Sequence, residues 1–355
     1  MSDVFINQRL ISSDSAPFII AEAGINHNGD LATALKMVDA AKQAGVDAVK
    51  FQTFKADEFC GDPEQLFSYQ SQGETITEPM LDMFKRMEFS IEQWHEIKAY
   101  CKKQDILFLS TPQNPSDLEL LLEIGINAIK IGSDDFTNIP LLQTYKKTNL
   151  PIIVSCGMAD MAEIYQALEA LGAIDGYPVI LCLCTSQYPT PPEDINLAKL
   201  NTLKSAFPNL TLGFSDHSQG YLASALAVGY GACLFEKHFT LDNQMAGPDH
   251  WFSENPNSLK AWRDAIHLAH KMRGSAILRP SEAELEMRTL ARRSIVALKD
   301  IEPGEQLDSD NIGLRRPGNG LPPLLLNKIT GLQASKFIKQ ASLLQLGDIA
   351  NENLD

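Results

Sequence analysis

Eight short apolar segments in the first 240 residues constrain the fold of this chain more than any other feature. Each has the length of a strand and is almost continuously apolar, which is typical of a strand buried on both faces. The segments are FIIAEA (18–23), AVKFQT (48–53), LFLST (107–111), AIKIGS (128–133), IIVSC (152–156), VILCLCTS (179–186), TLGFS (211–215) and CLFEKH (233–238). Together they predict one large sheet with little exposure to solvent.

Helical patterns separate these segments. LATALKMVDAAKQAG ends at Gly45, a residue suited to close a helix, and IEQWHEIKAYCKKQ follows Ser90, a suitable N-cap. Strands that alternate with helices predict a parallel sheet, and eight such units over about 250 residues predict an α/β fold of the (β/α)8, or TIM, barrel type. The alternative is an open, doubly wound sheet, which usually has fewer strands and often a glycine fingerprint that this chain lacks.

Two stretches depart from this alternation. Residues 54–90 are too long for a plain connection and predict an inserted loop over the top of the barrel, either a lid that contacts substrate or a surface insertion. From residue 289 onward, short strand-like runs alternate with Pro-Gly and Gly-Asn-Gly turns. We therefore predict a barrel domain over 1–274, a linker over 275–288 and a small mixed domain over 289–355.

Charge and cysteine content narrow the class of protein. The 355 residues carry a formal net charge of −15, and an acidic surface repels phosphate backbones and anionic lipid, so we expect neither nucleic acid nor membrane as a partner. We find no signal-peptide pattern and no apolar run near the roughly 20 residues of a membrane span. The six cysteines include no CxxC pair, so we expect buried, reduced thiols and a cytoplasmic location.

Polar side chains stand at the carboxyl ends of all eight apolar segments. In a (β/α)8 barrel these ends form the active site. Some of the Ser and Thr hydroxyls could simply cap the following helices, but this does not account for the lysines and histidines. The candidate residues are Glu22, Lys50, Gln52, Thr111, Lys130, Ser133, Ser155, Thr185, Ser186, Ser215, His217, Glu236, Lys237 and His238.

Two pairs among these residues suggest specific chemistry. His217 and His238 follow adjacent strands, and two imidazoles with oxygen ligands suit a labile divalent ion, Mn²⁺ first and Mg²⁺ second. Lys50 and Lys130 could clamp the phosphate and carboxylate oxygens of a substrate. Alternatively, Lys130 could be the nucleophile of a Schiff-base aldolase. A third possibility is that the chain is not an enzyme but a sugar-binding or scaffold protein whose C-terminal domain carries the function.

A series of specific motifs runs along the chain: AEAGINHNGD (21–30), AVKFQT (48–53), STPQ (110–113), IKIGS (129–133), VSCGM (154–158), CTSQYPTP (184–191), LGFSDHS (212–218), FEKHFT (235–240), GPDHWFS (247–253) and RRPGNG (315–320). In these motifs the chain resembles the sialic acid synthase family over essentially its whole length. These bacterial enzymes, which are transferases, condense phosphoenolpyruvate with an N-acylated hexosamine. The resemblance also implies that the C-terminal segment is an antifreeze-like (SAF) domain, which in the family reaches across a homodimer to cover the partner's active site.

The resemblance implies a role for each matching residue. His217 and His238, with Glu22 beside them, would surround a divalent metal ion, and Glu22, Asp135, Lys50 and Lys130 would be catalytic. Gln52, Tyr188, Asp249 and the partner's copy of Arg316 would meet the sugar. Phosphoenolpyruvate would be held by Lys50, Thr111, Lys130, Ser133, Ser155, Ser186 and Ser215.

The sequence departs from the family pattern at two positions. Asp135 stands where neuraminate synthases carry a glutamate that is proposed to transfer a proton, and Ser186 stands where they often carry Asn. Both positions suggest a substrate other than N-acetylmannosamine, such as a 2,4-diacetamido-6-deoxyhexose of the legionaminate type. The resemblance implies that the product, a nine-carbon sugar, is used in cell-surface glycans.

Overall fold

The eight apolar segments all become strands of one sheet. A computed structural model describes residues 3–350 of the chain. Within these residues the strands are β1 Val4–Ile6, β2 Arg9–Ile11, β3 Phe18–Gly24, β4 Ala48–Thr53, β5 Leu66–Ser71, β6 Glu74–Pro79, β7 Leu107–Pro112, β8 Ile129–Ile131, β9 Ile152–Ser155, β10 Val179–Cys184, β11 Thr211–Asp216, β12 Leu234–His238, β13 Ser294–Ala297 and β14 Ile312–Arg315.

The large sheet is parallel and closes into a barrel. Its strand order is β7-β4-β3-β12-β11-β10-β9-β8, and every hydrogen-bonded pair in it is parallel. The two end strands, β7 and β8, lie next to each other, so the sheet is nearly closed. The prediction of a (β/α)8 barrel is confirmed, and the open doubly wound sheet is excluded.

Helices follow the barrel strands and cover them. Those in the described residues are α1 Leu31–Ala44, α2 Ala56–Phe59, α3 Met80–Lys85, α4 Ile91–Lys103, α5 Pro115–Ile124, α6 Ile139–Lys146, α7 Met161–Leu171, α8 Pro192–Ile195, α9 Lys199–Ala206, α10 Leu222–Gly229, α11 Pro256–Arg273, α12 Glu282–Ala291 and α13 Leu326–Ile329, with 3-10 turns at Pro323–Leu325 and Leu346–Asp348. None of them combines the length and the apolar character needed to cross a membrane.

Local capping explains the ends of two helices that the sequence predicts. Helix α1 starts after Asp30, whose carboxylate accepts a hydrogen bond from the Thr33 amide, and it closes at Gly45 with a φ of 75°. Helix α4 starts at a capping box formed by Ser90 and Gln93. Both predicted boundaries are confirmed.

Alternation along the strands divides the side chains between the inside and the outside of the barrel. The lower interior is apolar: Ile20, Leu109, Ile153 and Ile180 pack together with the hairpin β1–β2, which covers that end of the barrel. A larger apolar cluster lies between the strands and the surrounding helices. Polar side chains occupy only the upper interior, at the carboxyl ends of the strands. All six cysteines are free and buried, as the sequence predicts.

Residues 54–90 are more ordered than the inserted loop that the sequence predicts. They contain α2, the antiparallel hairpin β5–β6, and α3. Phe54 and Met87 at the two ends of the segment pack with Ile25 in a small apolar cluster. This cluster anchors the insertion above the barrel.

The described residues from Ser275 onward form a second compact unit. Strands β13 and β14 pair antiparallel, and Ile295, Ile312, Ile329 and Leu344 contribute to an apolar cluster of its own. Helix α12 precedes β13 and begins at a capping box of Ser281 and Glu284.

Candidate active site

A cavity of about 300 Å³ opens at the carboxyl ends of the barrel strands. Because parallel strands in a closed barrel all end at the same rim, residues far apart in the sequence meet there. Thirteen of the residues that the sequence singles out line this cavity: Glu22, Lys50, Gln52, Thr111, Lys130, Ser133, Ser155, Ser186, Tyr188, Ser215, His217, Glu236 and His238.

Four buried charges of alternating sign form the floor of the cavity. Nζ of Lys50 lies 3.0 Å from Oε1 of Glu22 and 3.7 Å from Oε2 of Glu236. The other oxygen of Glu236 lies 3.5 Å from Nζ of Lys130. The register of the sheet produces this arrangement, because Glu22 is paired with Lys50 across β3 and β4 and with His238 across β12 and β3. The two carboxylates therefore offset the repulsion between the two ammonium groups, which are held close together.

The two carboxylates of this cluster differ in proton affinity. Burial raises the pKa of Glu22 to about 7, since the neighbouring Lys50 only partly opposes it and Glu236 adds to the rise. Burial also acts to raise the pKa of Glu236, but Lys130 and Lys50 outweigh it and lower that pKa to about 2. Glu236 is therefore a fixed negative charge, whereas Glu22 can take up and release a proton near neutral pH.

Hydroxyl groups surround the two lysines. Lys50 donates a hydrogen bond to Oγ1 of Thr111 at 3.2 Å, and Lys130 donates to Oγ of Ser155 at 2.9 Å. Oγ of Ser215 donates to Glu236 at 3.1 Å. These groups can turn toward a bound anion, because a hydroxyl both donates and accepts.

Ser133 and Ser186 form a second group of hydroxyls beside the lysines. The amide of Gly157 donates to Oγ of Ser133 at 3.0 Å. A methyl group on Gly157 would lie 2.7 Å from the same oxygen and would also collide with Oγ of Ser186. Only a glycine lets the backbone approach both hydroxyls so closely.

Two histidines lie at one side of the cavity. The rings of His217 and His238 are 5.4 Å apart between centroids, and the ring of Tyr188 packs against both. Nδ1 of His217 is 2.8 Å from the carbonyl oxygen of Thr185, so this nitrogen donates. Burial acts to lower the pKa of His217, but Cys184 and the Thr185 carbonyl outweigh it and raise that pKa above its usual value. Burial, reinforced by His217, lowers the pKa of His238 well below its usual value, so that ring is neutral.

The donor chemistry around these histidines fits a divalent metal ion. Three buried atoms, Oε2 of Glu22, Oε2 of Glu236 and Nδ1 of His238, have no hydrogen-bond partner. Imidazole nitrogen and carboxylate oxygen are the donors that Mn²⁺ and Mg²⁺ sites combine. Across residues 3–350, however, no three His, Cys, Asp or Glu side chains are gathered closely enough to hold an ion. Binding would therefore require side-chain rotation.

Asp249 reaches the same rim from the segment after β12. A Cβ atom added to Gly24, whose φ is +52°, would lie 3.4 Å from Oε1 of Glu22, 3.6 Å from Nε2 of Gln52 and 3.8 Å from Oδ2 of Asp249. These three side chains therefore meet around Gly24. Asp249 also lies 3.6 Å from Nδ1 of His238, and burial raises its pKa to about 6. Gln52 donates to Glu22 at 3.2 Å.

Of the two consecutive aspartates after Ser133, the structure brings only the first to the cavity. Asp134 lines it, and its carboxylate lies so close to Gly132 that a side chain there would collide with it. The carboxylate of Asp135 instead accepts a hydrogen bond of 2.9 Å from Asn138, the residue that caps α6. Arg316 belongs to the second compact unit, where its side chain is exposed.

The sequence did not single out several residues that line the cavity, among them Asp134, Gln113, Phe59 and Phe84. Both Glu236 and Lys237 were candidates from the sequence, with no distinction between them. Strand parity could have separated these two: Glu236 shares an inward face with His238, whereas Lys237 points outward and lies 3.0 Å from Asp216. No pattern in the sequence marks Phe59 or Phe84, because the folding of the inserted segment decides where they lie.

Comparison with known proteins agrees with this architecture. The profile of the NeuB family matches residues 37–277, and that of the SAF domain matches residues 292–350. The chain belongs to the NeuB family and is an enzyme of the sialic acid synthase type.

Three relatives illustrate the similarity. The chain is 39% identical to an N,N'-diacetyllegionaminic acid synthase of Legionella pneumophila over 332 residues, covering 92% of this chain and 93% of that one. It is 35% identical to a pseudaminic acid synthase of Campylobacter jejuni over 338 residues, covering 95% and 98%. A crystal structure of the N-acetylneuraminic acid synthetase of Leptospira borgpetersenii, in complex with citrate, superposes with a TM-score of 0.72 at 34% identity, covering 80% of this chain and 94% of that one.

Proposed function

We propose that this enzyme condenses phosphoenolpyruvate with an N-acylated hexosamine to give a nine-carbon sugar of the sialic acid type and inorganic phosphate. The observation that carries the proposal is the buried cluster of Lys50, Lys130, Glu22 and Glu236 at the floor of a cavity ringed by hydroxyls. The names of the relatives, which are synthases of legionaminic, pseudaminic and neuraminic acids, support the same reaction class.

The two lysines and the surrounding hydroxyls hold phosphoenolpyruvate. The substrate carries a phosphate and a carboxylate, and both need positive charge in a buried site. Lys50 and Lys130 supply that charge, and hydrogen bonds come from Thr111, Ser133, Ser155, Ser186 and Ser215.

The bonds in the reaction balance with water as the third reactant. Carbon 3 of phosphoenolpyruvate attacks the aldehyde carbon of the open-chain hexosamine, forming a carbon–carbon bond and an alkoxide. Water adds at carbon 2, the bond from carbon 2 to the bridging oxygen breaks, and phosphate leaves while the 2-keto group forms. Glu22, a buried carboxylate in the cavity wall, moves the protons at this end of the cavity, from the water or to the alkoxide oxygen.

A second proton carrier stands after Ser133. The family resemblance gives this role to Asp135, whereas the geometry favours Asp134, because only Asp134 lines the cavity. Because the two aspartates are consecutive, the proton-transfer role can pass from Asp135 to Asp134.

His217 and His238, with Glu22 beside them, would hold a divalent metal ion, Mn²⁺ first and Mg²⁺ second. The unpartnered Oε2 of Glu22 and Nδ1 of His238 support this assignment. The chemistry such an ion supplies is polarisation of the aldehyde oxygen.

Gln52, Tyr188 and Asp249 meet the hexosamine, together with Arg316 from a second copy of the chain. The hexosamine is either N-acetylmannosamine or a 2,4-diacetamido-6-deoxyhexose. The enzyme is a homodimer in which the C-terminal domain covers the partner's cavity. Exposed apolar side chains on the linker and helix α12 support this arrangement: α12 has no buried residue, and Leu278, Leu285 and Leu290 are exposed.

Incubation with phosphoenolpyruvate and a panel of acetamido-hexoses tests the proposed reaction. We expect phosphate release only when a suitable hexosamine is present, and a product whose mass is that of the sugar plus pyruvate. Absence of both with every sugar of the panel overturns the proposal.

The Schiff-base aldolase is the less favoured alternative. A lysine nucleophile requires a lowered pKa. Burial acts in that direction on Lys130, but Glu236 outweighs it and the pKa of Lys130 is raised. Borohydride reduction in the presence of pyruvate is expected to leave the mass of the protein unchanged.

A further inference from the structure

The inserted segment 54–90 places two aromatic rings in the wall of the active-site cavity. Phe59 at the end of α2 and Phe84 in α3 both line it. Their ring centroids are 4.9 Å apart and nearly perpendicular, and the buried Phe54 packs edge-on against Phe84 at 5.1 Å. The two rings are therefore held in place by an apolar support and are not free to turn away.

This aromatic pair belongs to the side of the cavity that we assign to the sugar. Segment 54–90 begins where β4 ends, directly after Thr53 and two residues beyond Gln52. Two of the three candidate sugar residues, Gln52 and Asp249, lie together near Gly24 on the arc formed by β4, β3 and β12, whereas Tyr188 follows β10. Most of the hydroxyls assigned to phosphoenolpyruvate lie on the opposite arc, β8 to β11.

The inserted segment offers no free positive charge to a sugar bound beside these rings. Its three cationic side chains pair with carboxylates of the same segment: Lys85 with Asp57 at 2.7 Å, Arg86 with Glu78 at 2.6 Å, and Lys55 with Glu58 at 3.6 Å. None of the three lines the cavity. A phosphate group placed against these rings would lose its hydration without gaining a partner from the inserted segment.

We infer that Phe59 and Phe84 form an apolar subsite that accepts a methyl-bearing part of the hexosamine and rejects a hydroxymethyl or phosphate group at that point. The inference rests on the proposed function and deepens it. Two substrate features supply such a methyl group: a deoxygenated carbon 6 and the methyl of an N-acetyl group. A hydroxyl added at the buried point would have no partner on the rings.

Two matched substrate pairs test the inference. One pair is a 2,4-diacetamidohexose with and without the hydroxyl on carbon 6, and the other is an N-acetyl and an N-glycolyl hexosamine. We expect kcat/KM to favour the methyl-bearing member of at least one pair by about 10- to 200-fold. The pair that shows the preference identifies which methyl group occupies the subsite. Equal kcat/KM values within both pairs overturn the inference.

Variants of the aromatic wall complete the test. Phe84→Asn should reduce the preference to within about threefold, because its amide can hydrogen-bond the added hydroxyl. Phe84→Leu keeps the wall apolar and should retain the preference even if Phe84→Asn folds poorly. Phe67→Asn, on the exposed hairpin β5–β6 and outside the cavity, is the control. If Phe84→Asn keeps the preference for the methyl-bearing sugar, the inference is overturned. Phosphate release with any sugar of the panel shows, independently, that the proposed reaction stands.

Discussion

The carboxylate of Glu236 lies 3.5 Å from the ammonium group of Lys130, and both side chains are buried inside the barrel. Lys50 approaches the other oxygen of the same carboxylate at 3.7 Å. Glu236 therefore balances two positive charges that are almost fully buried. The stability of the barrel and its affinity for an anionic substrate both depend on this balance.

Glu236→Gln should lower the free energy of unfolding by about 3–5 kcal/mol, because it leaves buried ammonium groups short of a counter-charge. Urea denaturation followed by circular dichroism measures the change. Asp264→Asn, which breaks the exposed ion pair with Lys260, is the control and should cost less than about 1 kcal/mol. Equal losses in the two variants would contradict the prediction.

His238→Ala should reduce kcat by at least about 100-fold if His238 helps to hold the metal ion that polarises the aldehyde. A chelator should inactivate the unmodified enzyme to a similar extent, and Mn²⁺ or Mg²⁺ should restore it. His270→Ala on α11 is the control, because His270 lies outside the cavity. Full activity in a metal-free preparation would refute the metal assignment.

Asp134→Asn should reduce kcat by about 100-fold or more, as expected for removal of a proton carrier that lines the cavity. Asp135→Asn should change kcat by less than about threefold while lowering the melting temperature, because Asp135 bonds to the cap of α6. Steady-state kinetics of both variants, with thermal melts, separate the two roles. The reverse pattern would return proton transfer to Asp135, where the family resemblance places it.

Arg316→Ala should raise KM for the hexosamine about tenfold or more and leave KM for phosphoenolpyruvate unchanged. The reason is that the proposal brings this side chain from the partner subunit to the sugar alone. Arg315→Ala, at the exposed last residue of β14, is the control. Unchanged sugar kinetics for Arg316→Ala, or a monomer in light scattering, would argue against the exchanged domain.

The free energy of unfolding should decrease as the pH rises from about 4 to about 6, because Asp117 loses its proton in this range. Burial raises the pKa of Asp117 from 3.8 to about 6, so in this range the folded state binds more protons than the unfolded state. Stability then decreases as the pH rises through that window. Asp117→Asn keeps an acceptor for the Asn114 amide but cannot titrate.

Relative to Asp117→Asn, the unmodified protein should therefore lose free energy of unfolding as the pH rises from 4 to 6. Glu286→Gln, on the exposed helix α12, is the matched control. A pH-independent difference for Asp117→Asn would show that the carboxyl group titrates normally in the folded state.

The barrel was predictable because its signals are local. Apolar runs of strand length, and caps such as Ser90 and Gly45, depend only on neighbouring residues. The polar residues at the strand ends were predictable because each follows its own apolar run. A parallel barrel then brings all carboxyl ends to one rim. Twelve of them do meet in one cavity.

Other features depended on distances that no local pattern contains. Whether Asp134 or Asp135 faces the cavity is decided by the turn after β8 and by the bond from Asn138. The opposite pKa shifts of Glu22 and Glu236 arise because one carboxylate touches one lysine and the other lies between two.

The sequence by itself determined the number of strands, their alternation with helices and the rim at which the reactive groups gather, because periodicity and capping act over a few residues. Only the tertiary structure decided which side chains share a charge, which atoms lack a partner and where Phe59 and Phe84 stand. These outcomes depend on contacts between segments far apart in the chain, and on the removal of water from the space between them.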